Sequence, residues 1–235
     1  MALILSIETS SENCSVAISD NGKIISSSQS TELQSHASVL TVLIEEIMTK
    51  NSLKIKQLDA VAVSKGPGSY TGLRIGVSVA KGLCFGSGKP LIAINTLKSM
   101  MSGLKIELND FSSRFTDETV FCPMLDARRM EVYMALFSKN GDEISETAAV
   151  IIDEVSFGEI LENKSVVFFG SGSDKCKEII KSKNAVFIRN FTLKADYVSI
   201  LAEEAYISKT FADVAYFEPF YLKDFIATTP KRKII

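Results

Sequence analysis

The stretch from Ser64 to Leu83 constrains the fold of this chain more than any other part of its sequence. It reads S-K-G-P-G-S-Y-T-G-L-R-I-G-V-S-V-A-K-G-L, and the apolar run Leu58–Val63 before it is typical of a buried strand. The Gly-Pro-Gly sequence favours a turn, because proline fixes its own φ and glycine accepts angles that other residues resist. The pattern predicts a strand, a glycine turn and a helix that Ser69 caps and that ends near Phe85.

Gly72, Gly76 and Ala80 lie four residues apart in this helix and form a smooth ridge on one face. A glycine inside a helix costs about 1 kcal/mol relative to alanine, so two on one face indicate the close approach of another backbone. That backbone can belong to the same fold or to a partner, and the spacing alone leaves both open.

The composition bounds the class of protein. A chain of 235 residues, 46% of them hydrophobic, can hold a substantial core as one large domain or two small ones. The net charge of -2 and the lack of a basic stripe, apart from Lys231-Arg232-Lys233, argue against tight nucleic-acid binding by the chain alone. Four scattered cysteines without a C-x-x-C pair are typical of buried thiols in a reducing compartment. We see no signal peptide or membrane-length apolar run, so we expect a cytoplasmic protein.

The N-terminal part predicts three short strands and then a helix from His36 to Lys50, capped by Ser35. The apolar positions of this helix cover an arc of roughly 240°, wider than the ~100° that a surface helix needs. One flank is therefore expected to meet the sheet, and the other a second partner from this chain or another.

The second half of the chain has a similar, less regular succession of predicted strands and helices. Strands are predicted at Thr119–Leu125, Glu131–Ser138 and Ser165–Phe169, a helix at Lys175–Lys181, and a polar surface connection at Lys105–Glu118. We therefore expect an α/β fold with two lobes related by duplication, at residues 1–104 and 105–235.

Polar turns after three predicted strands are candidates for holding a phosphate group or its magnesium ion. Their residues are Thr9, Ser10, Ser11, Asp126, Gly170 and Gly172. Each has a plainer interpretation, as a polar turn, as a hairpin ion pair between Asp126 and Arg128, or as an ordinary strand-to-helix turn. The single histidine, His36, argues against a zinc or iron site and against histidine-dependent nucleophilic catalysis.

Three segments resemble the TsaB family, also called YeaZ. They are I-E-T-S near the start, S-K-G-P-G-S-Y-T-G-L-R-I-G in the middle and L-D-A-R-R-M-E-V-Y later. The resemblance implies an actin-like, ASKHA (ribonuclease H-like) fold, a duplicated arrangement of two lobes with mixed sheets flanked by helices. The catalytic relative TsaD carries a His-x-x-x-His metal motif after the next strand, and the matching positions here are Thr96 and Met100.

The resemblance therefore implies a partner that is not itself an enzyme, supporting a TsaD-like subunit in threonylcarbamoyl transfer to an adenosine of tRNA, with a TsaE-like ATPase. It implies no firmly bound cofactor and no membrane association, but it makes ATP or ADP a candidate ligand at a subunit interface. It also implies that tRNA is contacted only through the complex and that the chain forms a homodimer when alone. The expected interface is on the two helices, at Val39, Val42, Leu43, Ile47, Gly72, Gly76 and Ala80. The alternatives are an ATP-binding phosphotransferase or glycopeptidase-like enzyme of this fold, and a homodimeric regulator.

Overall fold

The computed structural model describes residues 2–30, 36–108 and 110–223. Two five-stranded mixed sheets form its framework. The first has the strand order β3-β2-β1-β4-β5, in which β1, β2 and β3 are antiparallel neighbours and β4 and β5 continue parallel to β1. Its strands are β1 (Leu3–Glu8), β2 (Cys14–Asp20), β3 (Lys23–Ser30), β4 (Ala60–Gly66) and β5 (Leu91–Asn95).

The second sheet repeats this topology, with the order β8-β7-β6-β9-β10. Again the first three strands in sequence are antiparallel neighbours, and the last two run parallel to the first. The strands are β6 (Val120–Asp126), β7 (Glu131–Met134), β8 (Ala148–Ile151), β9 (Val166–Phe169) and β10 (Ala185–Ile188). The predicted duplicated α/β fold is confirmed by this match of strand order and direction.

The helices of the first half follow the sequence prediction closely. Helix α1 spans His36–Lys50, a short 3₁₀ helix spans Ile55–Gln57, and α2 spans Tyr70–Ser87. The Ser69 side chain accepts a hydrogen bond from the Gly72 N–H at the start of α2, and Gly88 ends the helix with a φ of 69°. The Ser69 cap is therefore as predicted, and the helix ends two residues beyond the predicted Phe85.

Helix α3 (Thr96–Glu107) and the short α4 (Phe111–Arg114) occupy much of the predicted polar connection. The prediction of a surface segment there is wrong, because Phe111 and Phe115 are buried against Phe121 of β6. The three rings pack with centroids 5.1 to 5.5 Å apart. Two aromatic side chains in a polar sequence thus anchor the connection to the second sheet.

The remaining helices are α5 (Gly158–Asn163), α6 (Ser173–Cys176) and α7 (Ala195–Ile207). The predicted helix at Lys175–Lys181 is wrong, because α6 is a single turn that ends at Cys176. The predicted strand Glu131–Ser138 is too long, since β7 ends at Met134. These errors fall where short apolar runs carry no clear period.

Helix α7 packs on the first sheet although it follows the second sheet in sequence. Val198, Leu201 and Ala202 share a core with residues of β1, β4 and β5. Tyr197 of the same helix joins the core of the second sheet, so α7 packs against both of the lobes predicted at residues 1–104 and 105–235. Ser35 and Lys231-Arg232-Lys233 lie outside the described residues. Within the described ranges, no helix has the length and apolar character needed to cross a membrane.

Candidate functional site

The glycine ridge of α2 is covered by the chain's own β1–β2 turn. A Cβ atom on Gly72 would lie 2.0 Å from the Thr9 carbonyl oxygen, and one on Gly76 would lie 2.2 Å from Thr9 Oγ1. Ala80 is fully buried in the first core. The prediction that Gly72, Gly76 and Ala80 face a partner is therefore wrong, because Thr9 of the same chain covers the two glycines and Ala80 is buried in the core.

Two of the predicted interface residues on α1 are also internal. Leu43 is 7% exposed and Ile47 is 2% exposed, and both belong to the core between α1 and the first sheet. Their assignment to an interface is wrong, since the sheet already covers them. Val42 is 48% exposed, and Val39 is partly buried at the edge of the same core.

An apolar surface nevertheless remains on these two helices. Helices α1 and α2 contact each other, so residues on their outer flanks lie on neighbouring parts of the surface. We call these residues the α1–α2 surface: Val39, Val42, Ile75, Val79 and Leu83. On the same side of α2, Gly82 has no other atom near the position of a Cβ. The α1–α2 surface has room for a partner that the glycine ridge lacks.

The predicted phosphate turn after β1 uses its polar groups internally. Thr9 Oγ1 donates a 2.8 Å hydrogen bond to the Gly72 carbonyl oxygen. Ser10 Oγ donates to Glu8 Oε1 at 2.5 Å, and the Ser10 carbonyl oxygen accepts from Ser69 N at 2.7 Å. Thr9 and Ser10 are both buried. Their hydroxyl groups therefore hold the turn against α2 and β1, and they are not presented to a ligand.

Glu8 is the buried acid at the centre of this turn. Its carboxylate accepts from Ser10 N at 2.6 Å and from Ser64 Oγ of β4. Burial raises the pKa of Glu8, and the hydrogen bonds from Ser10 and Ser64 only partly oppose that rise. Sequence reasoning did not include Glu8 among the site residues, although an acid at the end of a buried strand was the available signal.

Ser11 and His36 lie beside this buried group. His36 Nε2 donates to the Ser11 carbonyl oxygen at 2.8 Å, so the ring ties the start of α1 to the turn after β1. The charge interaction with His36 also lowers the pKa of Glu8, and it is the smallest of the effects acting on that pKa. The only histidine of the sequence thus has a contact that accounts for its position.

Asp126 and the glycine turn after β9 form a second, separate cluster. Asp126 Oδ1 accepts hydrogen bonds from Lys175 Nζ and from the Arg128 N–H. The predicted ion pair with Arg128 is therefore wrong, because the cation that pairs with Asp126 is Lys175 of α6. The Asp126 N–H donates to Ser171 Oγ at 3.2 Å, so this donor is also engaged within the cluster.

Gly170 and Gly172 are required by packing within this cluster. A Cβ on Gly170 would lie 2.3 Å from Met100 Cε and 2.5 Å from the Met124 carbonyl oxygen, and Gly170 has a φ of 95°. A Cβ on Gly172 would lie 2.9 Å from the Leu125 carbonyl oxygen. The turn therefore lies directly on β6 and α3. The interpretation of Gly170 and Gly172 as parts of an ordinary strand-to-helix turn accounts for both glycines.

The six predicted phosphate residues thus fall into two clusters, one around Glu8 and one around Asp126. Within the described ranges, no hydrogen bond or ion pair joins a residue of one cluster to a residue of the other. Each cluster satisfies its own polar groups. The first cluster is the turn between β1 and β2, and the second joins the end of β6 to the turn between β9 and α6.

Thr96 and Met100 occupy the start of α3 between the two sheets. Both side chains are essentially inaccessible, and the Met100 methyl group lies against Gly170. Thr96 Oγ1 has no hydrogen-bond partner among the residues that the structure describes. Across those residues, no group of three or more histidine, cysteine, aspartate or glutamate side chains is placed to hold a metal ion.

Comparison with known proteins gives a consistent family. The family model described as TsaD, tRNA N6-adenosine threonylcarbamoyltransferase, matches residues 24–231. The chain is 29% identical over 231 residues to the tRNA threonylcarbamoyladenosine biosynthesis protein TsaB of Escherichia coli (strain K12), covering 95% of this chain and 96% of that protein. It is 28% identical to the TsaB of Haemophilus influenzae, covering 94% of this chain and 93% of that protein.

Solved structures support the fold independently. YeaZ from Pseudomonas aeruginosa superposes with a TM-score of 0.76 at 23% identity, covering 94% of this chain and 100% of that chain. A second Pseudomonas aeruginosa structure, of an uncharacterized protein with similarity to peptidase YEAZ, has a TM-score of 0.78 at 22% identity and covers 95% and 100%. The resemblance to TsaB and YeaZ expected from the three sequence segments is confirmed.

Proposed function

Since this chain belongs to the TsaD family and its relatives along nearly its whole length are TsaB proteins, we propose that it is a non-catalytic partner subunit in tRNA threonylcarbamoyladenosine biosynthesis. It supports a TsaD-like subunit that transfers the threonylcarbamoyl group to an adenosine of tRNA. A TsaE-like ATPase acts with the pair, and tRNA is contacted only through the complex. This role belongs in the cytoplasm, where tRNA is modified.

The observation that carries this proposal is the burial of Thr96 and Met100. These are the positions that the family resemblance matches to the two histidines of the catalytic relative's metal motif. A threonine hydroxyl and a thioether are poor ligands for zinc or iron in place of two imidazoles. Here both side chains are also packed between α3 and the sheets. The chain therefore uses this junction for packing.

The polar side chains predicted to hold a phosphate group support the same proposal, because they are already engaged within the chain. Thr9 and Ser10 donate to the protein's own carbonyl and carboxylate oxygens, and Asp126 is paired with Lys175. A phosphate group entering either cluster would have to break these contacts first. A nucleotide is therefore better placed at a junction between subunits than within either cluster.

The α1–α2 surface is the proposed docking site for the TsaD-like subunit. Its side chains are apolar. Val42 is 48% exposed, and the other four residues are partly buried at the edge of the first core. A TsaD-like protein shares this family's fold and can offer corresponding helices, so the contact would be helix against helix. In the absence of that subunit, the same surface of a second copy is the available substitute, which accounts for a homodimer when the chain is alone.

The docking proposal is tested by placing one charge on this surface. Val42→Asp should weaken association with the TsaD-like subunit at least tenfold, because a carboxylate would be desolvated in the contact. The matched control is Val155→Asp, which places the same charge on a valine of the second lobe that is 80% exposed. Binding is measured by calorimetry and folding by circular dichroism. Equal affinity of the two folded variants would contradict the proposed surface.

The non-catalytic role is tested by reconstitution. The chain, the TsaD-like subunit and the TsaE-like ATPase are assayed alone and together for formation of the modified nucleoside from threonylcarbamoyl-AMP and tRNA. We expect no product from this chain alone and a higher rate when it is added to the other two. Product formation by the isolated chain would show that it is itself a transferase.

A further inference from the structure

A pocket of about 510 Å³ lies where the end of α3 meets α4 and the turn after β7. It shares no residue with the Glu8 cluster, the Asp126 cluster or the α1–α2 surface. Its charged groups are Lys105 and Lys139, and Ile106, Leu108 and Phe111 provide an apolar wall. None of the described residues that line it carries a carboxylate, although the chain as a whole has a net charge of -2.

Lys139 reaches the pocket with a largely covered side chain, 18% of which is exposed. Its Nζ donates to the Ser112 carbonyl oxygen and to Asp117 Oδ1, each at 3.1 Å. The Asp117 side chain is almost fully exposed and does not line the pocket, so its hold on the ammonium is screened by water. One of the three Nζ donors of Lys139 has no partner among the described residues.

Lys105 reaches the pocket from the last turn of α3. Its Nζ donates to the Asn140 carbonyl oxygen at 2.5 Å, which leaves two donors without a described partner. Asp142 and Glu204 favour its charge from nearby, yet burial outweighs them and lowers the pKa of Lys105. An ammonium that has lost part of its hydration and has donors to spare is favoured by an anion that brings new acceptors.

We propose that this pocket binds a phosphate monoester of mononucleotide size. Two ammonium groups with three spare donors suit the oxygens of one phosphate group, since lysine binds phosphate as a point charge. The apolar wall beside them suits a ring attached to that phosphate. The volume lies within the range of about 300–1,000 Å³ that is usual for small-molecule sites. The proposal does not depend on the proposed function.

The test is a titration of the full chain, labelled at isoleucine methyl groups, with AMP, adenosine and inorganic phosphate. Millimolar AMP should shift the Ile106 methyl signal saturably and leave that of Ile207, which is exposed on α7, unchanged. Adenosine lacks the phosphate and phosphate lacks the ring, so each should bind at least tenfold more weakly than AMP. The absence of a saturable Ile106 shift with AMP, or equal binding of AMP and adenosine, would overturn the proposal.

Charge removal locates the site. Lys105→Met and Lys139→Met keep an unbranched side chain, and each should weaken AMP binding about tenfold, because each removes a charged hydrogen bond. Lys164→Met is the control, since Lys164 is exposed at the end of α5 and does not line the pocket. Equal loss in all three variants would show non-specific attraction. Binding of tRNA that depends on Lys105 and Lys139 while AMP does not bind would replace the mononucleotide with a polymer.

Discussion

The contact between α2 and the β1–β2 turn gives the sharpest quantitative prediction. Gly76→Ala adds a Cβ 2.2 Å from Thr9 Oγ1, a distance that atoms cannot keep without moving. Overpacking of this kind costs about 1–3 kcal/mol, whereas replacing glycine by alanine within a helix gains about 1 kcal/mol. The expected net loss in the free energy of unfolding is therefore about 0–2 kcal/mol.

Gly82→Ala is the matched control on the same helix. Among the described residues, no atom beyond its own stretch of helix lies within 4 Å of its added Cβ, so only the helical gain of up to about 1 kcal/mol should appear. The two glycine variants should therefore differ by about 1–3 kcal/mol although the chemical change is identical. Urea denaturation followed by far-ultraviolet circular dichroism measures the difference as a shift in midpoint at an unchanged denaturant slope.

Thr9→Ala separates the clash from other causes. This change removes Oγ1 and its hydrogen bond to the Gly72 carbonyl oxygen, at a cost of about 1 kcal/mol. The nearest atom to a Cβ on residue 76 is then the Cβ of residue 9, at 3.4 Å. In this background Gly76→Ala should stabilise the protein as Gly82→Ala does. If the penalty of Gly76→Ala persists without the Thr9 hydroxyl, or never appears, the assigned contact is refuted.

Three further predictions concern single groups. Burial raises the pKa of Glu8 above its usual 4.5, so the protonated carboxyl group stabilises the fold fully below pH 4.5, and this stabilisation is lost as the pH rises through the higher pKa of the folded protein. Glu8→Gln should therefore become more stable relative to the wild type as the pH rises from 4.5 through that pKa. Urea denaturation at a series of pH values measures the difference. Burial raises the pKa of Cys14 and Cys84 to about 11, so a thiol reagent at neutral pH should modify them only after denaturant is added. Tyr221→Ala should cost about 1 kcal/mol and speed proteolysis after residue 210, since Tyr221 packs on Tyr70 with ring centroids 4.7 Å apart; unchanged cleavage would contradict this contact.

Local patterns were sufficient to predict the first half of the fold. The predicted range of α1, His36–Lys50, agrees with the structure, and Ser69 caps α2 as predicted, although α2 ends at Ser87 and not near Phe85. These signals succeed because caps and turns act within a few residues of the chain. The second half has shorter apolar runs, and there β7 and the helix at Ser173 were predicted too long.

Local patterns did not predict which part of the chain packs against an apolar or glycine-rich helix face. Thr9 covers Gly72 across 63 positions of sequence, and Ser64 reaches Glu8 across 56. Spacing on the helix indicated that another part of the chain or of a partner comes close to Gly72 and Gly76, but not that it would be the Thr9 backbone at Gly72 and the Thr9 side chain at Gly76. The same limit applies to α7, whose apolar residues gave no sign that they return to the first sheet.

Each lobe has a glycine position against which another side chain of the same chain packs closely. In the first lobe Thr9 fills the room beside Gly72 and Gly76, and in the second lobe Met100 fills the room beside Gly170. Since Met100 belongs to α3, which links the lobes, its burial connects the second glycine turn to the start of that helix. Replacing Met100 with a metal ligand would therefore disturb the packing of α3, which lies between the two lobes, because closely packed interiors transmit strain. In both lobes the glycine positions are therefore used for packing within the chain.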